Sequence, residues 1–553
     1  MIDPIDDMRT MVQQPADAPP WEPDELSAAP LRQGAPSAPA AVSAAAGAAA
    51  AGEGGGEGGD GRAPSVPAPY VYPPLTLLDA PRSAPADATA ELRERSQRLL
   101  DTLLSFHIQA QIVGIVRGPS VTRFELQLPR GVKFSKLTAL SEDIALALGS
   151  LSVRIAPIPD KVAVGVEVPN KNVQTVYIRE VVGAAAFQNA QSRLSFAIGK
   201  DITGTAVVGD IAKMPHMLIA GTTGSGKSVC INSLLISLLY KSTPEEVRLI
   251  MVDPKMIELG GYNGIPHLLI PVVTDPKKAS GALNWAVGEM MRRYQLFAAR
   301  GVRDLASYNR SVRAAGGEEE PPLPQIVIVI DELADLMMVA AREVEDSICR
   351  IAQMARAAGM HLVIATQRPS ADVITGIMKA NIPSRIAFAV ASQIESRIIL
   401  DQTGAEKLIG KGDMLYAPLG GGKPVRIQGC FITSEEVERV VEHVKRNAGE
   451  PDYSQEVLDH IERQSAQEEG GGESGGGDED PLLMDAIDIV VQSGQASVSL
   501  LQRKLKLGYA RAARLVDQME DRGIVGPFEG SKPRAVLIGR EDWQEMKLRR
   551  MDD

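Results

Sequence analysis

His216-Met217-Leu218-Ile219-Ala220-Gly221-Thr222-Thr223-Gly224-Ser225-Gly226-Lys227-Ser228 is a short apolar run that breaks into the pattern G-x-x-x-x-G-K-S. That pattern is a phosphate-binding loop when a strand feeds it and a helix leaves it. Residues 217–220 read as such a strand, and residues 229–240 read as the helix. Glycines let the backbone wrap a phosphate chain with its N–H groups pointing inward. Lys227 is expected to reach the terminal phosphates, and Ser228 to ligate Mg²⁺. The expected nucleotide contacts are Gly221, Thr222, Thr223, Gly224, Ser225, Gly226, Lys227, Ser228 and Val229, with ATP and Mg²⁺ as cofactors.

A hydrolytic site needs carboxylates as well, and Ile326-Val327-Ile328-Val329-Ile330-Asp331-Glu332 is an apolar strand ending in two acids. Asp331 is expected to hold the magnesium shell with Ser228, and Glu332 to polarise the attacking water. Leu362-Val363-Ile364-Ala365-Thr366-Gln367-Arg368 is another strand ending in polar groups, which makes Gln367 the candidate γ-phosphate sensor. Strand-like runs at 216–220, 248–252, 326–330 and 362–365, with later ones at 386–390 and 413–416, are short and nearly all apolar. Such runs alternating with helices predict an α/β fold whose parallel strands are buried on both faces.

The 553 residues exceed what one core organises, so two or three folded units are expected. Residues 1–88, rich in Ala, Pro and Gly, read as a disordered leader, and 89–190 as a small α+β unit. That unit carries a helical pattern from residue 90, a second helix over 137–148, and strands near 112–117, 121–128, 153–157 and 162–168. The P-loop core is assigned to 191–447, an acidic Gly-rich linker to 448–481, and a tail to 542–553. Residues 482–541 have the layout of a winged helix-turn-helix, its third helix starting at Tyr509.

A formal net charge of −12 excludes an all-over basic surface but not a local basic groove. Cys230, Cys349 and Cys430 lie far apart with no metal-ligand spacing, which fits a reducing cytosol. The acidic first ten residues lack the pattern of a secretory signal. The uncharged stretch 33–52 consists of Ala, Gly, Ser and Pro rather than large apolar residues, and reads as tail rather than membrane span.

These strings, together with Val252-Asp253-Pro254-Lys255, Leu333-Ala334-Asp335 after the acids, Pro369-Ser370 after Arg368, Ile382-Pro383-Ser384-Arg385-Ile386-Ala387-Phe388 and Gly508-Tyr509 with Arg511-Ala512-Ala513-Arg514, resemble the FtsK/SpoIIIE DNA translocases. The resemblance covers roughly residues 90–537. It implies a small domain forming one tier of a ring, a RecA-like P-loop ATPase motor forming the second, and a tethered winged helix-turn-helix domain. It further implies a hexamer encircling double-stranded DNA, a role in chromosome partition at cell division, and a site-specific recombinase as a partner.

In such rings an arginine reaches the nucleotide of the neighbouring subunit, and Arg356, read as lying on one helix with Arg350, is the candidate. Arg368, Lys379 and Arg397 fall where the family's pore loops occur and would contact DNA phosphates. Gln393 stands where the family often has a basic residue. In the last domain Tyr509, Arg511 and Arg514 are the DNA-binding candidates, Arg514 being suited to a bidentate guanine contact. Ala510 replaces the family's usual Asn and Asp517 its usual Glu, which predicts a different or relaxed sequence preference. Two alternatives stand beside this reading, a related ring ATPase that moves proteins and a non-catalytic scaffold that binds ATP and DNA. The family's N-terminal membrane region has no counterpart in the sequence, so the expected location is cytoplasmic, with association at the division site through a membrane partner or a missing N-terminal region.

Overall fold

The computed structural model describes residues 70–543 apart from 82–88, 159–160, 317–320, 421, 449–450, 470–481, 506–508, 527–533 and 540–542; for 466–469, 499, 509–511, 513–514 and 521 it describes the backbone alone. The greater part of the expected leader and the last ten residues lie outside this set.

Strands β1 (Gln111–Arg117), β2 (Val121–Gln127), β3 (Arg154–Pro157) and β4 (Val164–Pro169) form an antiparallel sheet in the order β1-β2-β4-β3. The helix Thr89–Ser105 buries Leu99 and Leu103, one turn apart, against Phe124, Leu126, Val166 and Val168. The single helix expected over 137–148 is two short ones, Phe134–Ala139 and Ser141–Ala147, because the backbone leaves helical geometry at Leu140.

The larger sheet contains β5 (Ser195–Asp201), β6 (Ala206–Asp210), β7 (His216–Ala220), β8 (Val247–Val252), β9 (Gln325–Ile330), β10 (Met360–Thr366), β11 (Ser384–Phe388), β12 (Asp413–Ala417) and β13 (Val425–Gly429). Among the described residues its order is β6-β5-β13-β12-β11-β7-β10-β9-β8. The run from β8 to β11 is parallel and the remainder antiparallel. β5 and β13, like β6, have no counterpart among the expected strands. Their pairing needs Gly199, where a Cβ would sit 2.0 Å from the carbonyl oxygen of Gln428, and a glycine weakens the strand signal.

Alternate side chains of the parallel strands feed two cores. Ile328, Ile330, Leu362 and Ile364 face the helices Pro276–Ala299 and Leu333–Met354, while Val327, Val329 and Val363 face the helices Lys227–Lys241 and Ser434–Ala448. Burial on both faces therefore explains the unbroken apolar runs.

Four expected boundaries are corrected. Residues 70–81 are not leader: Leu78 is buried, Tyr70 donates to the Leu239 carbonyl at 2.8 Å, and the Asp79 N–H donates to Glu436 at 2.8 Å. Prolines around them mask the apolar Leu75, Leu77 and Leu78. Val181, Val182 and Phe187 join the core of the large sheet, so the small unit ends before residue 190. Inside the expected linker, Gln455–Glu469 is a helix that buries Val457 and Ile461 against the helix Pro276–Ala299. Polar and charged residues make up most of it, and only the spacing of those apolar positions marks it. In the last domain Trp543 is buried and donates through Nε1 to Asp488 at 2.6 Å, so the fold continues past 541.

That domain holds the helices Leu483–Ser493, Val498–Leu505 and Tyr509–Asp521 over a core including Ile487, Leu501, Leu515 and Met519. Antiparallel bridges pair Ala496 with Arg534 and Val525 with Val536, which is the wing. Among the described residues no helix is long and apolar enough to cross a membrane.

Candidate nucleotide site

β7 enters the phosphate loop and the helix Lys227–Lys241 leaves it. Gly226 caps that helix at φ 118°, a conformation L side chains rarely adopt, and a Cβ there would meet the Gly412 nitrogen at 2.7 Å. At Gly221 a Cβ would meet Phe388 Cβ at 2.5 Å. The loop is braced from three strands: Gly221 N–H donates to the Thr366 carbonyl, Thr222 donates through both N–H and hydroxyl to the Ala389 carbonyl, and Gly412 N–H donates to the Ser225 carbonyl at 2.8 Å.

β9 is the next neighbour but one of β7 and delivers the two acids at the same sheet edge. Lys227 Nζ donates to the Asp331 carboxylate at 2.7 Å and to its carbonyl at 2.6 Å, with both side chains buried. Burial pushes the Asp331 carboxyl above its ordinary range; Lys227 opposes this, and the nearby Glu258 and Asp253 add to it. Glu332 caps the helix Leu333–Met354. Its Oε2 accepts from Lys255 Nζ at 2.8 Å and its Oε1 from the Thr366 hydroxyl at 2.7 Å, while the Gln367 N–H reaches both oxygens at 3.2 Å. Burial favours the neutral acid, yet the Lys255 and Thr366 hydrogen bonds, the Lys255 charge and the Gln367 amide outweigh it and hold Glu332 below the usual carboxylate range. Gln367 itself accepts from the Thr223 hydroxyl at 2.7 Å, tying the end of β10 to the phosphate loop.

Ser228 donates to Glu258 at 2.7 Å. Three buried oxygens here, Ser225 Oγ, Asp253 Oδ1 and Asp331 Oδ2, have no hydrogen-bond partner among the described residues. Unpartnered buried oxygens beside a phosphate-binding loop fit a nucleotide with a hard cation, which takes oxygen ligands.

The sequence matches fit this geometry. Residues 177–371 match the FtsK/SpoIIIE family, residues 72–170 the FtsK alpha domain and residues 477–539 the Ftsk gamma domain. The chain is 55% identical over 482 residues to the DNA translocase FtsK of Caldanaerobacter subterraneus subsp. tengcongensis, covering 87% of this chain and 66% of that protein. It is 58% identical to the DNA translocase FtsK of Clostridium tetani (86% and 63%) and 50% identical to the DNA translocase SpoIIIE of Bacillus subtilis (86% and 60%). The chain belongs to the FtsK/SpoIIIE family. It spans between 60% and 66% of the length of these three relatives. Its core is the family's RecA-like P-loop fold, and its last domain is the family's winged helix.

Of the site residues expected from sequence, Gly221 to Ser228, Asp331, Glu332 and Gln367 meet at one sheet edge. Arg356 does not. The helix ends at Met354, and Arg356 is exposed in the turn that follows, before β10 begins, so it does not share a helix with Arg350. β10 separates it from Gln367 by about 20 Å at roughly 3.3 Å per residue. Arg293, fully buried, fixes this turn by donating to the Ala358 carbonyl at 2.8 Å, and Leu305 N–H binds the Ala357 carbonyl.

Arg368 is exposed just beyond Gln367, its guanidinium 3.9 Å from Asp335. Lys379 is less available than expected, because it pairs with Asp401 at 2.7 Å and Arg385 pairs with the same carboxylate. Arg397 is exposed on the helix Gln393–Leu400. The side chains of Tyr509, Arg511 and Arg514 lie outside the described residues, though their helix is present. Asp517 on that helix accepts from Arg534 of the wing at 2.8 Å, so it braces the wing. Asp253, Lys255 and Glu258 were legible in sequence only as part of a family string or not at all. The signal that could have found them is the Asp-x-Lys following β8, the sheet neighbour of the acid-bearing β9.

Proposed function

We propose that this chain is an ATP-driven motor that moves along double-stranded DNA as part of a six-membered ring. The observation that carries the reading is the joining of Lys227, Asp331, Glu332 and Gln367 at one sheet edge while Arg356 is displayed at the opposite one. An arginine held there cannot serve its own site. In a head-to-tail ring, whose interface joins two different faces, it would serve the neighbour's.

Lys227 exchanges Asp331 for the terminal phosphates of ATP, Gln367 reports on the loop through Thr223, and Glu332 takes the proton of the attacking water. Ser228 and Asp331 would hold Mg²⁺, which when bound would supply charge neutralisation at the transferred phosphate. Duplex DNA as the track is supported by the names of the relatives and by the winged helix, which would orient loading by reading sequence through Arg514. Arg368, with Arg397, would grip phosphates, independently of sequence and less strongly as salt rises. The biological occasion we assign is chromosome partition at the division site, with a site-specific recombinase as a further partner.

The test couples hydrolysis to movement: ATPase rate with linear duplex, single strand or no DNA, alongside displacement of a third strand from a triplex. Strong stimulation by duplex with triplex displacement is expected. Indifference of the ATPase to duplex would end the translocase reading.

A further inference from the structure

Glu332 is drawn as a base with no vacancy. A carboxylate oxygen offers about two lone-pair positions. Oε1 accepts from the Thr366 hydroxyl and the Gln367 N–H, with the Ala334 N–H at 3.4 Å, and Oε2 accepts from Lys255 and the Gln367 N–H. A general base must take its proton from a water within hydrogen-bond reach, so one donor has to leave first.

Three of these donors are fixed. Ala334 and Gln367 act through backbone N–H groups and Thr366 is fully buried. Lys255 differs: it sits on a long flexible stem, is 28% exposed, and has a second acceptor in reach, Asp335 Oδ2 at 3.9 Å. Asp335 in turn lies 3.9 Å from the exposed guanidinium of Arg368. Glu332, Lys255, Asp335 and Arg368 thus form a row of alternating charge leading from the buried base to the surface. Behind the base, Asp331 is already held by Lys227.

We propose that Lys255 is a positioning residue that blocks Oε2 of Glu332 until Arg368 engages a phosphate of the DNA backbone. With the guanidinium charge drawn off Asp335, that carboxylate becomes the stronger acceptor for Lys255. Lys255 moves across, and Oε2 is opened to the attacking water. Binding of the track then licenses hydrolysis through three side chains. This deepens the translocase reading and rests on it.

The test uses the full chain and measures ATPase with and without linear duplex DNA. Lys255→Gln is expected to raise the DNA-free rate about ten-fold, the factor that one charge-assisted hydrogen bond corresponds to, and to shrink the stimulation ratio accordingly, with KM for ATP unchanged. Lys255→Arg, which keeps the charge, is expected to keep the DNA-free rate low. Asp335→Asn removes the second acceptor and should lower the stimulated rate, whereas Lys255→Gln with Asp335→Asn should behave as Lys255→Gln alone, because no lysine remains to be moved. Equal loss of both rates in Lys255→Gln with the ratio unchanged, or additive effects in the double variant, would overturn the proposal. A wild-type chain indifferent to duplex overturns the translocase reading itself, whereas a stimulated wild type with an unchanged Lys255→Gln ratio overturns only the role of Lys255.

Discussion

Replacing Arg426 by Met tests how the small unit is joined to the P-loop core. Arg426 is buried between them, donating to Asp413 at 2.9 and 2.7 Å and to Glu167 at 2.9 Å, while Arg154 supplies Glu167 from the other side at 3.0 Å. Burial works against the Arg426 charge, but Asp413 and Glu167 outweigh it and raise its pKa. Met fills a similar volume and leaves Asp413, fully buried, with the Ile409 N–H at 2.9 Å as its remaining partner among these bonds. Removing one member of a buried ion pair costs about 3 to 5 kcal/mol, because the other charge is left without compensation. At about 2 to 4 °C per kcal/mol for units of this order, the apparent Tm should fall by roughly 6 to 20 °C in scanning calorimetry.

The pH dependence of that deficit has a definite sign. Burial raises the Glu167 pKa, Arg154 and Arg426 more than reverse this, and the net value is depressed. Its stabilisation is therefore present above the unfolded pKa and lost as pH falls through the folded one. The variant lacks one of the two cations and protonates Glu167 more readily, so its deficit should narrow as the pH falls through and below the ordinary glutamate value of 4.5. Because Asp413 adjoins Gly412, which holds the phosphate loop through Ser225, KM for ATP should also rise. A deficit under about 1 kcal/mol, as for an exposed pair, or one that is the same at neutral and acid pH, would refute the buried-network account.

Glu332→Gln should lower kcat by about 10² to 10⁴ while fluorescent-nucleotide titration shows ATP still bound; retained turnover would remove it as the base. Arg356→Ala should depress ATPase by about 10³ or more, and mixing it with Lys227→Ala subunits should restore part of the rate, since one subunit then supplies the arginine and its neighbour the intact loop. No recovery at any mixing ratio would count against action in trans. Ile461→Ala empties a site against the helix Pro276–Ala299 and should cost about 2 to 4 kcal/mol in urea denaturation, where a linker residue would cost almost nothing.

The nucleotide site was legible because its chemistry is local. A loop that wraps phosphate needs glycines at fixed spacing, and a strand buried on both faces must be apolar until it reaches its polar end, so Gly221 to Ser228, Asp331 and Gln367 announce themselves within single stretches. Domain edges were read less well. The segment 70–81 and the helix Gln455–Glu469 carry the composition of linkers, yet two or three apolar side chains in each find a partner surface, which composition cannot register. Trp543 is the same case in one residue.

By itself, the sequence determined the α/β fold, the phosphate loop and the identity of the two acids, because backbone geometry and burial constrain residue types position by position. Only the tertiary structure decided what those residues do to one another. The partners that fill Glu332, Lys255 from beyond β8 and Thr366 from β10, are 77 and 34 positions away, and Arg356 lies at the far edge of the sheet from the site its own chain builds. Charge pairing acts over a few ångströms of space, and distance along the chain leaves no trace of it.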